Sequence, residues 1–399
     1  MKGPFSIWTI FGLTLWIDLI THIIFLKKEA RIDPYNPIRQ VSVIIPITKE
    51  PEEKIEQTVV NAYSESYPLK SVILCGDSKS DVRELVKKMN ARYENFVYID
   101  SPYKSKARKI NFIVRNFKEI LGEFIYVRDC GLKAEGNCTE KMLSYFNEKD
   151  VAAVTSYGRV SIPKNFLSRS YYYGKSWINE IGRFRKNAQE KRKAVFVICG
   201  ASTMFKTEIL QRYPIPSISK TEDTHYTWLL QRKGFKIRVA DDAIASALEM
   251  DGVGIEGIKK QIKQSYRWSS GTIQCLYREG KGIFENKRLA YTTIIPGFLE
   301  SVTYSIPLLL LPFLFFLIPN YAIGFLIGDT VFSLVGTLFI IPKKFFKTFI
   351  HYPQIIFFKY LNSAVFIAAV FMVTFQAIAG KTEAWSNEWI SPLSVEDFE

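Results

Sequence analysis

The sequence predicts an α/β protein with a doubly wound, mostly parallel sheet and with transmembrane α-helices at both ends of the chain. Short β-branched strands alternate with helical segments between residues 31 and 250, which favours right-handed crossovers and parallel strands. Long apolar runs lie on both sides of that region. The 399 residues are 48% hydrophobic and 15% aromatic. Because the hydrophobic residues concentrate at the two ends, they indicate an integral membrane protein.

The N-terminal apolar run, Phe5 to Leu26, is long enough to cross a bilayer core, which needs about 20 residues. No small-residue cleavage site follows it, so we expect a transmembrane anchor within residues 1–30 rather than a removed signal peptide. Asp18 and His22 lie four residues apart on one face of this helix. Charge in mid-bilayer is costly, so these two side chains are predicted to lie near the interface and to pair with each other.

The region at residues 31–250 contains four clear strands separated by amphipathic helices. The strands are predicted at Val41–Pro46, Ser71–Cys75, 95–99 and 123–127. Ligands of such sheets bind beyond the carboxyl ends of the strands, and carboxylates lie there at Glu50, Asp77, Asp100 and Asp129. No GxGxxG follows the first strand, and no GxxxxGK(S/T) occurs anywhere, so a bound nucleotide must be held by side chains and, we expect, by a metal.

The C-terminal third is strongly apolar. Within residues 291–380 we predict three further spans, at Thr292–Ile318, Tyr321–Ile341 and Leu361–Ala379. An aromatic and basic segment at residues 345–360 is predicted to lie at the membrane interface.

Basic residues follow the first and third predicted spans. The positive-inside rule therefore places residues 27–290 and the loop at residues 342–360 in the cytoplasm, with residues 381–399 as an extracytoplasmic tail. We expect the plasma membrane as the location. Residues 251–290 are predicted to form interfacial helices. Residues 165–193 are aromatic in their first half and basic in their second, which is typical of a helix that docks a domain on a bilayer.

The formal net charge of +14 agrees with more than one partner. A domain that faces a lipid bilayer with anionic headgroups, or that binds a nucleotide sugar, needs such an excess of positive charge. Nucleic acid is not expected, because no zinc-finger spacing, helix-turn-helix or aromatic RNA-binding signature accompanies the charge. The five cysteines show no CxxC spacing, so neither a metal site nor a disulfide is predicted from them.

A set of motifs resembles the family 2 glycosyltransferases, and in particular their membrane-embedded processive branch, which includes cellulose, chitin and hyaluronan synthases. In order, they are VSVIIPITKEP, VILCGDSKSD, KARKIN, EFIYVRDCG, CGASTMF, TEDTHYTWLLQRKGFKI and QSYRW, within about residues 41–280. The most specific part is TED followed by QxxRW just before apolar spans. The resemblance implies a GT-A-like nucleotide-sugar domain that transfers sugar, with inversion, from a UDP-sugar or another nucleotide diphosphate donor to a growing polysaccharide.

Sugar transfer with inversion needs a base for the acceptor hydroxyl and positive charge for the leaving diphosphate. The resemblance assigns the base to Asp223, with Glu222 in support. A structural alternative is that Thr221, Glu222 and Asp223 cap the helix that they begin, and the two roles are compatible. His225 is interpreted as a solvated residue of the same helix.

The donor site is assigned by the same resemblance. Glu50 and Asp77 match the positions that hold the base and ribose, although both also suit ordinary turns. Lys106 matches the family's lysine beside the diphosphate. The alternative is that Lys106 is simply one of several cations in a basic helix. Arg267 of QxxRW would bind the leaving diphosphate through its fork of donors, and Gln264 would add hydrogen bonds.

The acceptor site is assigned to Trp268, which would offer a flat surface to a sugar, and to the small residues Gly200, Ala201 and Ser202. The segment Val197–Ser202 is predicted to be a strand that ends in these small residues, where the acceptor would approach the backbone closely. A tight strand-to-helix turn would select the same residues.

The sequence departs from the family after the fourth strand. The family has Asp-x-Asp there, which binds Mg²⁺ or Mn²⁺; here Asp129 stands alone and Gly131 occupies the second position. Three interpretations stay open: a neighbour such as Glu135 supplies a ligand, Asp129 holds the metal with diphosphate and water, or basic residues replace the metal. A fourth is that the site is catalytically degenerate.

Two other functions therefore compete with polysaccharide synthesis. One is a non-processive transferase that acts on a polyprenyl phosphate or another lipid acceptor. The other is a membrane protein that senses glycans or nucleotides through a degenerate site. Four spans are few for an export channel, so a homo-oligomer is an open alternative to a channel within one chain.

Overall fold

The sheet lies at the centre of the α/β region. The computed structural model describes residues 13–24, 31–77, 82–159, 166–247 and 254–385. Within these residues the strands are β1 (Val41–Pro46), β2 (Ser71–Gly76), β3 (Phe96–Asp100), β4 (Phe124–Arg128), β5 (Leu132–Ala134), β6 (Val151–Arg159), β7 (Ser202–Lys206) and β8 (Lys236–Ala247). They form one sheet of eight described strands in the order β3-β2-β1-β4-β7-β6-β8-β5.

The two halves of the sheet differ in strand direction. Strands β3, β2, β1 and β4 are all parallel, as the alternation of strands and helices predicts. Strand β7 then runs antiparallel to both β4 and β6, β8 is parallel to β6, and β5 is antiparallel to β8. The predicted α/β class with a mostly parallel sheet is confirmed, and the antiparallel pairs all lie in the second half of the sheet.

Helices follow or separate these strands. In the described residues they are α1 (Leu13–Ile24), α2 (Glu52–Tyr63), α3 (Arg83–Arg92), α4 (Lys106–Asn116), α5 (Cys138–Leu143), α6 (Phe166–Lys191), α7 (Thr207–Arg212), α8 (Glu222–Arg232), α9 (Gly254–Glu279), α10 (Lys287–Leu317), α11 (Pro319–Ile340), α12 (Phe345–Ile350) and α13 (Tyr352–Ile378). Helix α10 contains a π-helical turn at Ala290–Ile294.

Both faces of the parallel half are covered, which is why its strands are apolar throughout rather than alternating. In β1, Val43 and Ile45 pack on the side of α2, where Val59 lies. Ile44 points to the opposite face and packs with Ile110 of α4. This arrangement leaves the carboxyl ends of the parallel strands as the free edge at which a ligand can bind.

In the part of the chain that the structure describes, three helices are long and apolar enough to cross a membrane: α10, α11 and α13. Each overlaps one of the three C-terminal spans that the sequence predicts. The predicted interfacial segment at residues 345–360 is divided between the short helix α12 and the first turns of α13. Of the predicted span Phe5–Leu26, residues 13–24 are helical and the rest lies outside the described residues.

Helix α6 links the sheet region to the apolar helices. Tyr173 stacks on His351 with ring centroids 3.5 Å apart, and Trp177 Nε1 donates to Thr337 Oγ1 at 2.8 Å. A side chain at Gly174 would place its Cβ 2.4 Å from the Cβ of Phe358, so glycine permits the close approach of α6 to α13.

The predicted pair of Asp18 with His22 is wrong. The Asp18 carboxylate lies 2.9 Å from Arg185 Nε and 2.7 Å from Arg192 NH2, both near the C-terminal end of α6. The ring of His22 packs instead against Phe184, with centroids 5.1 Å apart. Two guanidinium groups satisfy the carboxylate better than one neutral imidazole, and no local sequence pattern reveals partners so distant along the chain.

Candidate active site

A lysine and a carboxylate meet at the carboxyl end of the parallel strands. Lys106 is the first residue of α4, and its ammonium donates to Asp129 Oδ1 and to the carbonyl oxygen of Gly200. Asp129 directly follows β4, and its backbone N–H donates to the carbonyl oxygen of Ala201 at 2.9 Å. Three predicted site segments are thereby joined: the start of α4, the end of β4 and the loop before β7.

The two acidic residues of the TED motif lie in the same cluster. A Cβ at Gly200 would be 2.7 Å from Asp223 Oδ2, so only glycine allows the Asp223 carboxylate to lie against this loop. Glu222 and Asp223 are the first two residues of α8 and are half-buried. Three acidic residues, Asp129, Glu222 and Asp223, therefore surround one ammonium group.

This crowding sets the protonation states. Burial acts to lower the pKa of Lys106, but Asp129, Glu222 and Asp223 outweigh it and raise that pKa above its usual value, so Lys106 stays a cation. Burial, together with the charge of Asp223, raises the pKa of Glu222, against the attraction of Lys106. Glu222 therefore holds its proton more readily than an exposed glutamate does.

The segment Val197–Ser202 is not the predicted strand. It is a loop, and β7 begins only at Ser202. Its backbone N–H groups are taken by side chains: Ile198 donates to Thr227 Oγ1 at 3.0 Å and Cys199 to Thr155 Oγ1 at 2.7 Å. These bonds replace strand pairing, and they fix the loop against α8 and β6.

The predicted acceptor residues in this loop differ in access. Gly200 and Ala201 are half-buried, whereas Ser202 is fully buried. The Ser202 hydroxyl bonds with Ser156 Oγ at 2.6 Å and with Tyr126 OH at 2.8 Å. An acceptor can therefore reach the first two residues without displacing any sheet contact, and Ser202 supports them from beneath.

The predicted nucleotide-binding acids lie at the ends of β1 and β2. Glu50 Oε2 accepts from the backbone N–H groups of Thr48 and Lys49, at 2.5 and 3.0 Å. Asp77 is 2% exposed and pairs with Lys109 at 3.0 Å. The same ammonium donates to the carbonyl oxygen of Ile47, so Lys109 ties together the ends of both strands.

A cleft of about 200 Å³ connects these groups. Its lining residues are Pro46, Thr48, Glu50, Lys104, Lys106, Lys109, Asp129 and Cys130. The cleft thus offers three lysines and two carboxylates at the edge where a ligand of a parallel sheet binds. The lysines of that lining would bind the negative charge of an anionic ligand, and the carboxylates would accept hydrogen bonds from its polar groups.

The donor set for a divalent cation is incomplete. The Asp129 carboxylate already accepts from Lys106, and Glu135, the proposed substitute ligand, pairs with Arg159 at 3.4 Å. Gly131 carries no side chain, and Lys54 lies over it: a Cβ there would be 1.9 Å from Lys54 Cε. Among the described residues, no group of three or more His, Cys, Asp or Glu side chains is placed to hold a metal ion.

The helix that carries QxxRW packs directly on the start of α8. A Cβ at Gly271 would be 2.6 Å from Thr221 Oγ1, and Gln274 Oε1 accepts from the backbone N–H of Lys220 at 3.1 Å. Within α9, Gln264 is half-buried, while Arg267 and Trp268 are exposed, the latter by 44%. The two motifs are therefore neighbours, and the guanidinium and indole groups face away from the protein core.

His225 differs from its predicted solvated position, because it is 6% exposed. Its Nε2 lies 2.8 Å from Glu279 Oε1 at the end of α9. Burial, with the charges of Arg232 and Arg278, lowers the pKa of His225 to about 4. A neutral imidazole at neutral pH thus joins α8 to α9 behind the acidic pair.

Sequence reasoning missed Lys54, Lys109 and Gly271. Lys109 had a signal, because it lies three residues after Lys106 in KARKIN and so shares a helical face with it. Gly271 also had one, being a glycine inside a long helical pattern. Lys54 had none, because its contact with Gly131 is set by tertiary packing.

Comparison with known proteins gives a family and a fold. A family model described as "Glycosyltransferase like family 2" matches residues 37–271. An N-acetylglucosaminyltransferase of Rhizobium leguminosarum bv. viciae is 23% identical over 322 residues, which are 76% of this chain and 68% of that protein. The uncharacterized glycosyltransferase YaiP of Escherichia coli K12 is 28% identical over 103 residues. The latter match covers 26% of this chain and 24% of the length of YaiP.

A solved structure shares most of the architecture. It is the mannosyltransferase PcManGT from Pyrobaculum calidifontis in complex with GDP-Man and Mn²⁺, at a TM-score of 0.61 and 17% identity. The likeness covers 93% of this chain and 99% of that one. It supports the predicted GT-A-like fold and extends beyond the sheet into the apolar helices.

Proposed function

Since the chain belongs to the glycosyltransferase-like family 2, we propose that it transfers a sugar from a nucleotide diphosphate donor to an acceptor hydroxyl at a membrane. The observation that carries this proposal is the cluster of Lys106, Asp129, Glu222 and Asp223 against Gly200. It puts a cation for a leaving phosphate beside carboxylates that can accept a proton. Such pairing of base and electrophilic charge is what sugar transfer needs.

In the proposed mechanism, Asp223 takes the proton of the acceptor hydroxyl while the acceptor oxygen attacks the anomeric carbon. The bond between that carbon and the phosphate oxygen breaks, and the nucleoside diphosphate leaves with the electron pair. Attack from the face opposite the leaving group inverts the anomeric centre. Lys106, held as a cation by its acidic neighbours, stabilises the charge that develops on the diphosphate.

The donor's nucleoside is assigned to the ends of β1 and β2, near Glu50 and Asp77, with UDP as the expected nucleotide. Gln264 and Arg267 would close over the diphosphate from α9, which packs on the start of α8. Mg²⁺ or Mn²⁺ at Asp129 stays a prediction from the family. The residues that the structure describes do not complete a site for it, so no step above depends on a metal.

The acceptor is proposed to be a growing polysaccharide, which would contact Trp268 and pass outward between the spans. A lipid-linked acceptor is the second candidate, and one observation favours it. An apolar cavity lies between α8 and the apolar helices, lined in part by Phe196, Trp228 and Phe298 together with Arg185 and Lys186. An acyl or prenyl chain beside a phosphate would match such a lining.

The proposed location is the plasma membrane, with the sheet region in the cytoplasm where nucleotide sugars are made available. The three apolar helices support attachment to a bilayer, and the basic residues after the first and third predicted spans support the orientation. A homo-oligomer is proposed only if one chain proves too small to enclose a polymer.

A screen of nucleotide sugars tests the proposal. The purified full-length protein in lipid nanodiscs is heated with each donor, because a ligand that binds only the folded state raises the unfolding temperature. Donors that protect are then supplied in radiolabelled form with membrane lipids. A ladder of products supports polysaccharide synthesis, and a single shift in lipid mobility supports the lipid acceptor. Absence of any labelled product with every protecting donor contradicts sugar transfer.

A further inference from the structure

We propose that Lys54 and Lys106 together hold the donor diphosphate in the place where an Asp-x-Asp pair would hold a divalent cation. This inference rests on the proposed function, and it names the groups that bind the phosphates. It concerns the turn at residues 129–131, where one aspartate of the pair is present and the second is glycine.

The first support is the space beside Gly131. A Cβ on this residue would lie 1.9 Å from Lys54 Cε and 2.7 Å from Lys54 Nζ. The lysine stem therefore occupies the volume in which a second acidic side chain would begin. Gly131 also has φ at +86°, a backbone conformation that favours glycine over a residue with a side chain.

The second support is that the turn is fixed to the helix that carries Lys54. Thr58 Oγ1 donates to the carbonyl oxygen of Lys54 and accepts from the backbone N–H of Gly131, both at 2.8 Å. One turn further along α2, Asn61 Oδ1 accepts from the backbone N–H of Ala134 at 2.8 Å. These bonds fix α2 against the turn, and they thereby position Lys54 beside Gly131.

The third support is charge. Among the described residues, Lys106 pairs with Asp129 and Lys109 with Asp77, whereas Lys54 is in no ion pair. The Lys54 charge acts on Cys130, which lines the cleft, and works against the burial that raises the pKa of that thiol to about 11. Lys54 does not line the cleft itself, but its ammonium lies beside Gly131, which directly follows the lining residue Cys130. A positive charge there, in no ion pair among the described residues, is matched by an anionic ligand.

The two ammonium groups lie at opposite ends of the turn, Lys106 at Asp129 and Lys54 at Gly131. A diphosphate that lies along the turn would contact both, and each phosphate would meet one cation. Lysine binds phosphate as a compact point charge and needs no further ligand to do so. This assigns the charge neutralisation that a metal supplies elsewhere to residues of this chain.

Binding of UDP and of GDP to the full-length protein in nanodiscs, measured by calorimetry, tests the inference. With excess EDTA, one of the two should bind the native protein with an affinity within about twofold of that in MnCl₂. Lys54→Met should weaken this binding by about tenfold or more, and Lys54→Arg should restore most of it. Lys87→Met, on the exposed face of α3, is the matched control and should bind as the native protein does.

A converse variant sharpens the test. Lys54→Glu places a carboxylate near Asp129, and two hard oxygen ligands suit Mn²⁺. Its nucleoside diphosphate binding should be lost in EDTA and return with MnCl₂. Thermal unfolding of each variant without ligand checks that the fold is intact.

The outcomes separate this inference from the proposed function. Binding by the native protein that needs MnCl₂ overturns the lysine assignment while leaving a nucleotide diphosphate donor in place. Native affinity in a folded Lys54→Met variant overturns it as well. If neither UDP nor GDP binds with or without MnCl₂, the lysine assignment and the donor class both fail.

Discussion

Two lysine–aspartate pairs in this protein have the same chemistry and different surroundings. The cleft pair is Lys106 with Asp129, whose side chains are 22% and 45% exposed. The span pair is Lys359 of α13 with Asp329 of α11, which lie 2.9 Å apart and are 10% and 6% exposed. One pair opens into a cleft, and the other lies between apolar helices.

The span pair is fully satisfied by its neighbours. Asp329 accepts from Tyr352 OH at 2.7 Å and from Tyr304 OH at 3.1 Å, and Lys359 donates to Ser333 Oγ at 2.7 Å. These residues come from α10, α11 and α13, so the pair joins three apolar helices. A closed polar network of this kind holds structure together, whereas the partly exposed cleft pair has capacity left for a ligand.

The largest expected effect is beside the cleft pair, from Asp223→Asn. The variant keeps the shape of the side chain but cannot accept a proton, so sugar transfer should fall by about a thousandfold. Radiolabelled donor turnover in nanodiscs measures this. Asp150→Asn, at a partly exposed pair with Lys236 away from the cleft, is the control and should keep native activity.

If Asp223→Asn keeps native sugar transfer, Asp223 is not the base and serves only at the start of α8. If neither protein transfers sugar although both bind a nucleoside diphosphate, the protein is a sensor with a degenerate site. Nucleoside diphosphate binding should be nearly unchanged in the variant, because Asp223 is assigned to the acceptor. Loss of binding as well as transfer would place the residue in the donor site instead.

Breaking the span pair should lower stability rather than activity. Lys359→Met leaves the buried Asp329 carboxylate without its cation, which typically costs about 3–5 kcal/mol. Thermal unfolding in nanodiscs should show a large drop, while transfer per folded molecule stays near native. Adding Asp329→Asn to the same chain removes the unpaired charge and should recover part of the loss. A single variant as stable as the native protein would show that the network does not hold the helices.

A third polar network, outside the apolar helices, tests whether a buried network stabilises the fold wherever it lies. His225 is buried in the sheet region, with Nε2 2.8 Å from Glu279. Its folded-state pKa of about 4 lies below the ordinary value of 6.5. The unfolded chain therefore binds the extra proton more readily, and stability is complete above about pH 6.5 and declines as pH falls towards the folded-state pKa.

Between about pH 7 and about pH 5 the imidazole should cost about 2 kcal/mol of unfolding free energy. His225→Gln keeps an N–H donor that does not titrate, so its stability should fall less over the same interval. Unfolding of both proteins is measured at each pH in the same nanodiscs. Equal slopes for the two proteins would mean that His225 does not titrate on unfolding.

Local patterns predicted much of this fold. The strands β1 to β4 and the three C-terminal apolar helices each have a pattern within a few residues, whether a β-branched run or a long apolar stretch. The motifs also located Lys106, Asp129, Glu222 and Asp223, which the structure brings together. Proximity in such a sheet follows from parallel order, because the ends of neighbouring strands share one edge.

The failures are contacts that depend on residues far along the chain. The loop at Val197–Ser202 looks like a strand, but Thr227 and Thr155 take its backbone N–H groups. Asp18 finds its partner at Arg185, and Lys54 finds its place beside Gly131. In each case a side chain from another element sets the local structure, and single-sequence patterns carry no record of it.

The smallest expected effect comes from Arg267, an exposed residue of the predicted diphosphate site. Arg267 is exposed on α9, four residues before the glycine that packs on Thr221. If it binds the leaving diphosphate through two parallel hydrogen bonds, Arg267→Lys keeps the charge but loses that geometry, and transfer should fall by about tenfold. Arg278→Lys, at an exposed arginine of the same helix, should leave transfer unchanged. Full activity in Arg267→Lys would show that only its charge matters, and the cleft lysines would then carry the recognition of the diphosphate.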